Sequence, residues 1–294
     1  MKRFSLALLC MATLFLASCG PKEPLPDNEV NIGKGVFVIN EGNFGYANST
    51  LTFYDPEADT VANNLFYRAN GAPIGDVGQS LVLIDDCLYI VVNSGNYIYK
   101  VNANTIKCDT TKPYMLRDFA QPRMMWPVAP DKAYVSDIAS TVLWIVNPKD
   151  MTHMGSVDMG KSTENMVQVG NELYVSNWSK AYLQGMENNT VQVVDLNNDV
   201  KVADITVGIE PNGIVVDKNG MVWVMCEGAV WTDEAEDPTL WKINPMTKEA
   251  VCMASYSKFD GVMNLAIDPS GTYLYFFLGG EVHRANVNAP NADD

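Results

Sequence analysis

From Val36 onward the chain alternates short apolar runs with tight polar turns, and no helix-period stripe of useful length competes with that pattern. The clearest example is PNGIVVDKNGMVWVMCEG, residues Pro211 to Gly228. It predicts a strand over Ile214 to Val216, a turn over Asp217-Lys218-Asn219-Gly220 and a second strand over Met221 to Met225. The Asn-Gly pair supplies the positive φ that a two-residue hairpin requires. A third strand, Leu240 to Ile243, ends on Asn244-Pro245.

The same phrase recurs along most of the chain. Second-strand copies begin at Val36, Leu88, Ala133, Leu173, Val222 and Leu274, which are 52, 45, 40, 49 and 52 residues apart. Third-strand copies begin at Leu51, Ile98, Leu143, Val191, Leu240 and Glu281, and most turn on Asn, Asp or Pro. A repeat of about 40–50 residues built from four short strands marks a β-propeller blade. The expected fold class is all-β, a propeller of four-stranded blades over residues 35–294, with a β-sandwich as the competing arrangement. Val36 aligns with a second strand, and only VNAPNADD follows the sixth copy, so no strand is left to complete the first blade. The expectation is a seven-bladed type truncated to about six blades; a six-bladed ring with an imperfect seam is the alternative.

In such a ring, the loops from second to third strands share one face with the loops that lead into each innermost strand, and function concentrates on such loops. The first set pairs amides with aromatics: Asn43, Phe44 and Tyr46; Asn96 and Tyr97; Asn177, Trp178 and Tyr182; and Trp231. These are stacking platforms beside hydrogen-bonding amides, suited to a large polar organic ligand or a protein partner. The second set, Gln79, Met125, Asn165, Asn212 and Asn264, is expected to line the channel mouth. Asn43, Phe44, Tyr46, Asn96, Tyr97, Asn177, Trp178, Tyr182, Asn212, Trp231 and Asn264 are therefore the candidate ligand-binding residues. Amides in such turns also bond neighbouring backbone, and loop aromatics also pack on each other; both roles stay open.

Composition narrows the picture. Twenty Lys and Arg against 35 Asp and Glu give a net charge of −15. Removing residues 1–18 takes away Lys2 and Arg3, leaving 18 basic against 35 acidic residues, or −17. That field, with no basic patch, argues against nucleic-acid binding. His153 and His283 are the only histidines and sit far apart in the chain, so a histidine metal site or a Ser-His-acid triad has little to draw on. No metal site and no cofactor is expected. An enzyme would need paired acids or a metal cluster at the channel mouth, and the expected ring of amides and Met125 offers neither. Cys87, Cys108, Cys226 and Cys252 show no CxxC spacing that would fix a pairing.

The front of the chain reads as an export signal. Residues 1–18 join a basic start to an apolar run too short to span a membrane, ending in Leu16-Ala17-Ser18-Cys19. This is the pattern of a bacterial lipoprotein, with Cys19 as the lipidated residue. Residues 19–34, with three prolines, read as a flexible tether. The membrane contact expected is the lipid anchor alone, and acidic residues near Cys19 favour the outer-membrane cell surface over the periplasm.

Together the lipobox, the opening Val38-Ile39-Asn40-Glu41-Gly42-Asn43-Phe44 and the turns Val146-Asn147-Pro148 and Ile243-Asn244-Pro245 resemble the YncE-like propeller lipoproteins of Bacteroidetes. Within that group the chain is similar to the cobalamin-capturing proteins of the BtuG type, over about Val36 to Asn286. The resemblance implies a seven-bladed ring that binds a corrinoid (vitamin B12) on one face and hands it to a TonB-dependent outer-membrane transporter. The alternative is an adhesion or scaffold propeller that binds a protein or glycan.

Overall fold

The computed structural model describes residues 35–114, 120–178, 188–230, 233 and 235–290. Its described residues form a β-propeller fold with six antiparallel sheets, taken in chain order as blades I to VI. Blade I comprises β1 (Val36–Asn40), β2 (Thr50–Asp55) and β3 (Thr60–Ala62), followed by the short helix α1 (Leu65–Asn70). Blade II comprises β4 (Gly78–Ile84), β5 (Cys87–Val92) and β6 (Tyr97–Asn102). Blade III is β7 (Pro122–Ala129), β8 (Lys132–Asp137), β9 (Val142–Asn147) and β10 (Thr152–Asp158). Blade IV is β11 (Met166–Val169), β12 (Glu172–Ser176), β13 (Thr190–Asp195) and β14 (Val200–Thr206). Blade V is β15 (Pro211–Val216), β16 (Val222–Cys226), β17 (Thr239–Ile243) and β18 (Ala250–Ser255). Blade VI is β19 (Val262–Ile267), β20 (Tyr273–Leu278) and β21 (Glu281–Asn286). The lipobox and tether lie outside the described residues.

Each second strand is apolar on both faces because both faces are covered. Leu88, Ile90 and Val92 of β5 pack toward blade I with Leu51 and Phe53. The residues between them, Tyr89 and Val91, pack toward blade III with Ala133, Val135 and Trp144. Three more inter-blade cores of the same kind follow, ending with Trp223, Met225, Leu274 and Phe276 between blades V and VI. The two terminal blades differ. Val36 and Val38 of β1, and Met263 and Val282 of blade VI, remain exposed on the faces that look away from these cores. Among the described residues β1 pairs only with β2, and none of them forms an innermost strand for blade I.

The Asn and Asp that end the third strands have one job throughout. In all six blades the side chain accepts the N–H two residues ahead: Asp55 from Glu57, Asn102 from Asn104, Asn147 from Lys149, Asp195 from Asn197, Asn244 from Met246 and Asn286 from Asn288, at 2.9–3.1 Å. These Asx turns preset the chain reversal. The Asp217–Gly220 turn departs from the two-residue hairpin the sequence suggests. Only Gly220 has positive φ, and the Asp217 carboxylate closes a wider turn by accepting the N–H groups of Asn219 and Met221. Its other oxygen accepts the Trp223 indole N–H, which anchors the turn to the core. All four described cysteines are free thiols. Burial raises the Cys226 thiol above its ordinary value, and that of Cys108 to about 11.

Candidate functional site

Where the innermost strands of blades II, III, V and VI begin, the ladder is broken by a β-bulge. Pairing jumps from Gly78 to Ser80, from Pro122 to Met125, from Pro211 to Ile214 and from Met263 to Ala266. A bulge sets two residues against one and re-aims a side chain. The residues so placed are Gln79, Arg123, Asn212 and Asn264, with Asn165 at the matching point before β11. This corrects the expected ring at one position. Met125 is 1% exposed and packs in the core between blades II and III, and Arg123 stands at the mouth instead.

Arg123 organises one side of the mouth. Its Nε lies 2.8 Å from both Glu164 oxygens and its Nη2 lies 2.7 Å from Oε1, a bidentate pair that burial makes strong. Nη1 donates to Gln79 Oε1 at 2.5 Å, and the guanidinium lies over the Trp178 ring at 5.5 Å. Burial pushes the Glu164 carboxyl above its ordinary value, and Arg123 opposes that shift.

Glu227 organises the other side. Its Oε2 accepts the Trp178 indole N–H at 3.0 Å, and its Oε1 accepts Asn212 Nδ2 at 2.9 Å. Asn212 Oδ1 in turn accepts Asn165 Nδ2 at 2.7 Å. One polar network thus runs from Gln79 through Arg123, Trp178, Glu227 and Asn212 to Asn165, across blades II to V. Among the described residues no cation pairs with Glu227. Burial raises its carboxyl to about 7, with Glu210 and Glu164 adding to the rise and the Asn212 and Trp178 hydrogen bonds opposing it.

Blades II to IV carry other residue types at the Glu227 position and use them differently. The residue that follows the second strand, or ends it, is Asn93 in blade II, Asp137 in blade III and Asn177 in blade IV. Those three are buried and tied inward: Asn93 to the Pro122 carbonyl, Asp137 to the N–H groups of Ala120 and Gln121, and Asn177 to Ser162, Gln192 and Thr190. Glu227 instead meets the residues of the mouth.

The other candidates fall into three groups. Asn43, Phe44 and Tyr46 sit on a loop pinned by Asp76, which accepts the Gly45 N–H at 2.9 Å; Phe44 and Tyr46 are 77% and 75% exposed. Asn264 is also exposed, in a left-handed backbone conformation at φ 61. Tyr97 begins β6 rather than a loop, donates to the Ile74 carbonyl and packs edge-on against Tyr99. Asn96 makes the turn before it at φ 59, and Asn177 is fully enclosed. Tyr182 and Trp231 lie outside the described residues. Of the nine described candidates, the structure joins only Trp178 and Asn212 directly in the mouth network, and it adds Arg123, Glu164 and Glu227, which were not among the candidates.

The family model described as Domain of unknown function (DUF5074) matches residues 34–294, and the chain belongs to that family. Solved structures place the fold among β-propellers. Virginiamycin B lyase from Staphylococcus aureus is similar at a TM-score of 0.60 and 12% identity, over 89% of this chain and 84% of that one. The dihydro-heme d1 dehydrogenase NirN aligns at 0.57 and 11% identity, over 88% of this chain and 53% of that one. Kuenenia stuttgartiensis hydrazine synthase aligns at 0.54 and 17% identity, over 71% of this chain; the matched part spans 65% of that longer chain. No curated protein matches the sequence.

Proposed function

We propose that this chain is an exported, lipid-anchored propeller that captures a large polar organic ligand at the channel mouth. The observation that carries the reading is Glu227, a largely buried carboxylate in the mouth network that is met by neutral donors and by no described cation. A perturbed acid in a concave polar site is where binding or chemistry concentrates. Binding is the reading preferred here. Glu164, the other acid of the network, is committed to Arg123. The exposed Phe44 and Tyr46 extend the surface outward as stacking platforms.

The finer reading rests on the family resemblance alone. It makes the ligand a corrinoid, whose amide fringe donates hydrogen bonds that Glu227 and the mouth amides would accept. A TonB-dependent transporter would then be the recipient, at the outer-membrane cell surface, with lipidated Cys19 as the anchor. The same exposed rings also favour a second reading, an adhesion or scaffold propeller that binds a glycan or protein.

Calorimetry of residues 20–294 with cyanocobalamin tests the finer reading. Saturable one-to-one binding, weakened at least tenfold by Trp178→Ala, is the expected result. No heat from the folded protein overturns corrinoid capture and turns the search to glycan arrays.

A further inference from the structure

We propose that Glu227 is the ligand-contacting acid of the mouth and that it selects a ligand bearing an organic cation, an ammonium or amidinium group. The inference rests on the mouth being the ligand site and adds the chemistry it recognises.

The charges at the mouth are matched unevenly. Arg123 spends its charge on Glu164, held by three contacts of 2.7–2.8 Å, and its remaining contacts are the Gln79 oxygen and the Trp178 ring. Glu227 receives two neutral N–H donors, one on each oxygen. A carboxylate offers about four acceptor positions, and donors among the described residues fill two of them. Among the described residues, the charged groups that bear on it are Glu210 from the turn before β15 and Glu164 from the turn before β11, while Arg123 of β7 lies over the Trp178 ring. Glu41, in the loop after β1, bears on Glu164 from across the mouth. An incoming anion would be repelled by the Glu227 carboxylate, whereas an incoming cation would pair with it.

Trp178 strengthens the argument independently of charge. Its indole N–H fixes one Glu227 oxygen at 3.0 Å, and its ring already carries one guanidinium at 5.5 Å. An indole that orients a carboxylate while presenting a π-system beside it is the kind of wall that favours organic cations. The Asn165–Asn212–Glu227 chain at 2.7 and 2.9 Å orients the same carboxylate from the opposite side. The acid is therefore held in one orientation before any ligand arrives, which lowers the ordering cost of binding.

Benzamidine and its neutral counterpart benzamide are the probes, read through the Trp178 indole N–H resonance of 15N-Trp-labelled protein, assigned with Trp178→Phe. Benzamidine is expected to shift that resonance saturably and benzamide to leave it in place. Its affinity should fall about thirtyfold from pH 8 to pH 5.5 as the Glu227 carboxyl, at about 7, takes up a proton. Glu227→Gln should weaken benzamidine at least tenfold and flatten its pH profile. The profile of the unaltered protein carries the test if that variant fails to fold.

Equal shifts from both probes, with Glu227→Gln unaffected, overturn cation selection and leave capture at the mouth standing. A shift with cyanocobalamin but not with benzamidine does the same. Silence of Trp178 toward all three probes overturns both the inference and the assignment of the mouth.

Discussion

The two ends of this ring are built from the same repeat and treated differently. At the end away from the mouth, blades II to V are clamped each to the next by the same device. Tyr89 and Lys100 of blade II donate to the Pro148 carbonyl of blade III. Tyr134 and Lys132 of blade III donate to Asp199 of blade IV. Tyr174 and Glu172 of blade IV meet Lys248 of blade V. The ammonium sits over the tyrosine ring in all three, at 5.3–5.7 Å. At the mouth the equivalent positions carry Gln79, Arg123, Asn165, Asn212 and Asn264, no more than three alike. Uniformity at one end serves the ring, and variety at the other serves a ligand that is not itself repetitive.

The largest expected effect comes from the buried Arg123–Glu164 ion pair at the mouth. Arg123→Met leaves Glu164 buried without its cation and should destabilise the fold by about 3–5 kcal/mol in chemical denaturation. Adding Glu164→Gln should recover most of that loss. If the single variant unfolds like the unaltered protein, the mouth is softer than its geometry implies.

Glu227→Gln should move stability the other way. A carboxyl raised to about 7 in the folded chain binds its proton more tightly folded than unfolded. Its favourable contribution is complete below the ordinary carboxylate value and is lost as pH rises toward 7. The variant should therefore gain on the order of 2–3 kcal/mol over the parent at pH 8, with the gain shrinking as pH falls toward 4. A gain at neutral pH coupled to weaker ligand binding is the signature of a strained functional site. Equal stability at both pH values would make Glu227 an ordinary surface acid.

Smaller effects separate the two ends. Tyr134→Phe removes a clamp hydroxyl and should cost about 1–2 kcal/mol while leaving ligand binding at the mouth unchanged. Phe44→Ala, at a ring 77% exposed, should change stability by no more than about 0.5 kcal/mol and act only on affinity. If the clamp variant altered binding and the rim variant did not, the assignment of the two ends would be reversed.

The fold was legible because its signals are local. The Asn and Asp ending each third strand are seen in the sequence and do in space what their chemistry suggests. The mouth was harder to read because its residues are placed by bulges, and a bulge breaks the period-of-two count on which strand alignment depends. That slip selected Met125 where Arg123 belongs. One signal was available: Pro122-Arg123 stands where Pro211-Asn212 stands, at the opening of an innermost strand. Glu227 was visible in Cys226-Glu227-Gly228, matching Asn40-Glu41-Gly42, but its burial depends on Trp178 and Asn212 from two other loops. Asn177 and Tyr97 share the residue types of a binding rim, and only packing reveals that they are enclosed.

The bulges have a consequence for how this architecture can change over time. Because Gln79, Asn212 and Asn264 stand at points where the ladder is already interrupted, exchanging one of them leaves the inter-strand pairing as it was. Each can vary without disturbing the strand ladder, although Gln79 and Asn212 take with them the hydrogen bonds that tie them to Arg123, Asn165 and Glu227. Arg123 is the exception, since it is wedded to Glu164. A lineage carrying this scaffold could thus retune what it recognises through single exchanges around a fixed Arg–Glu pivot, with no refolded intermediate along the way.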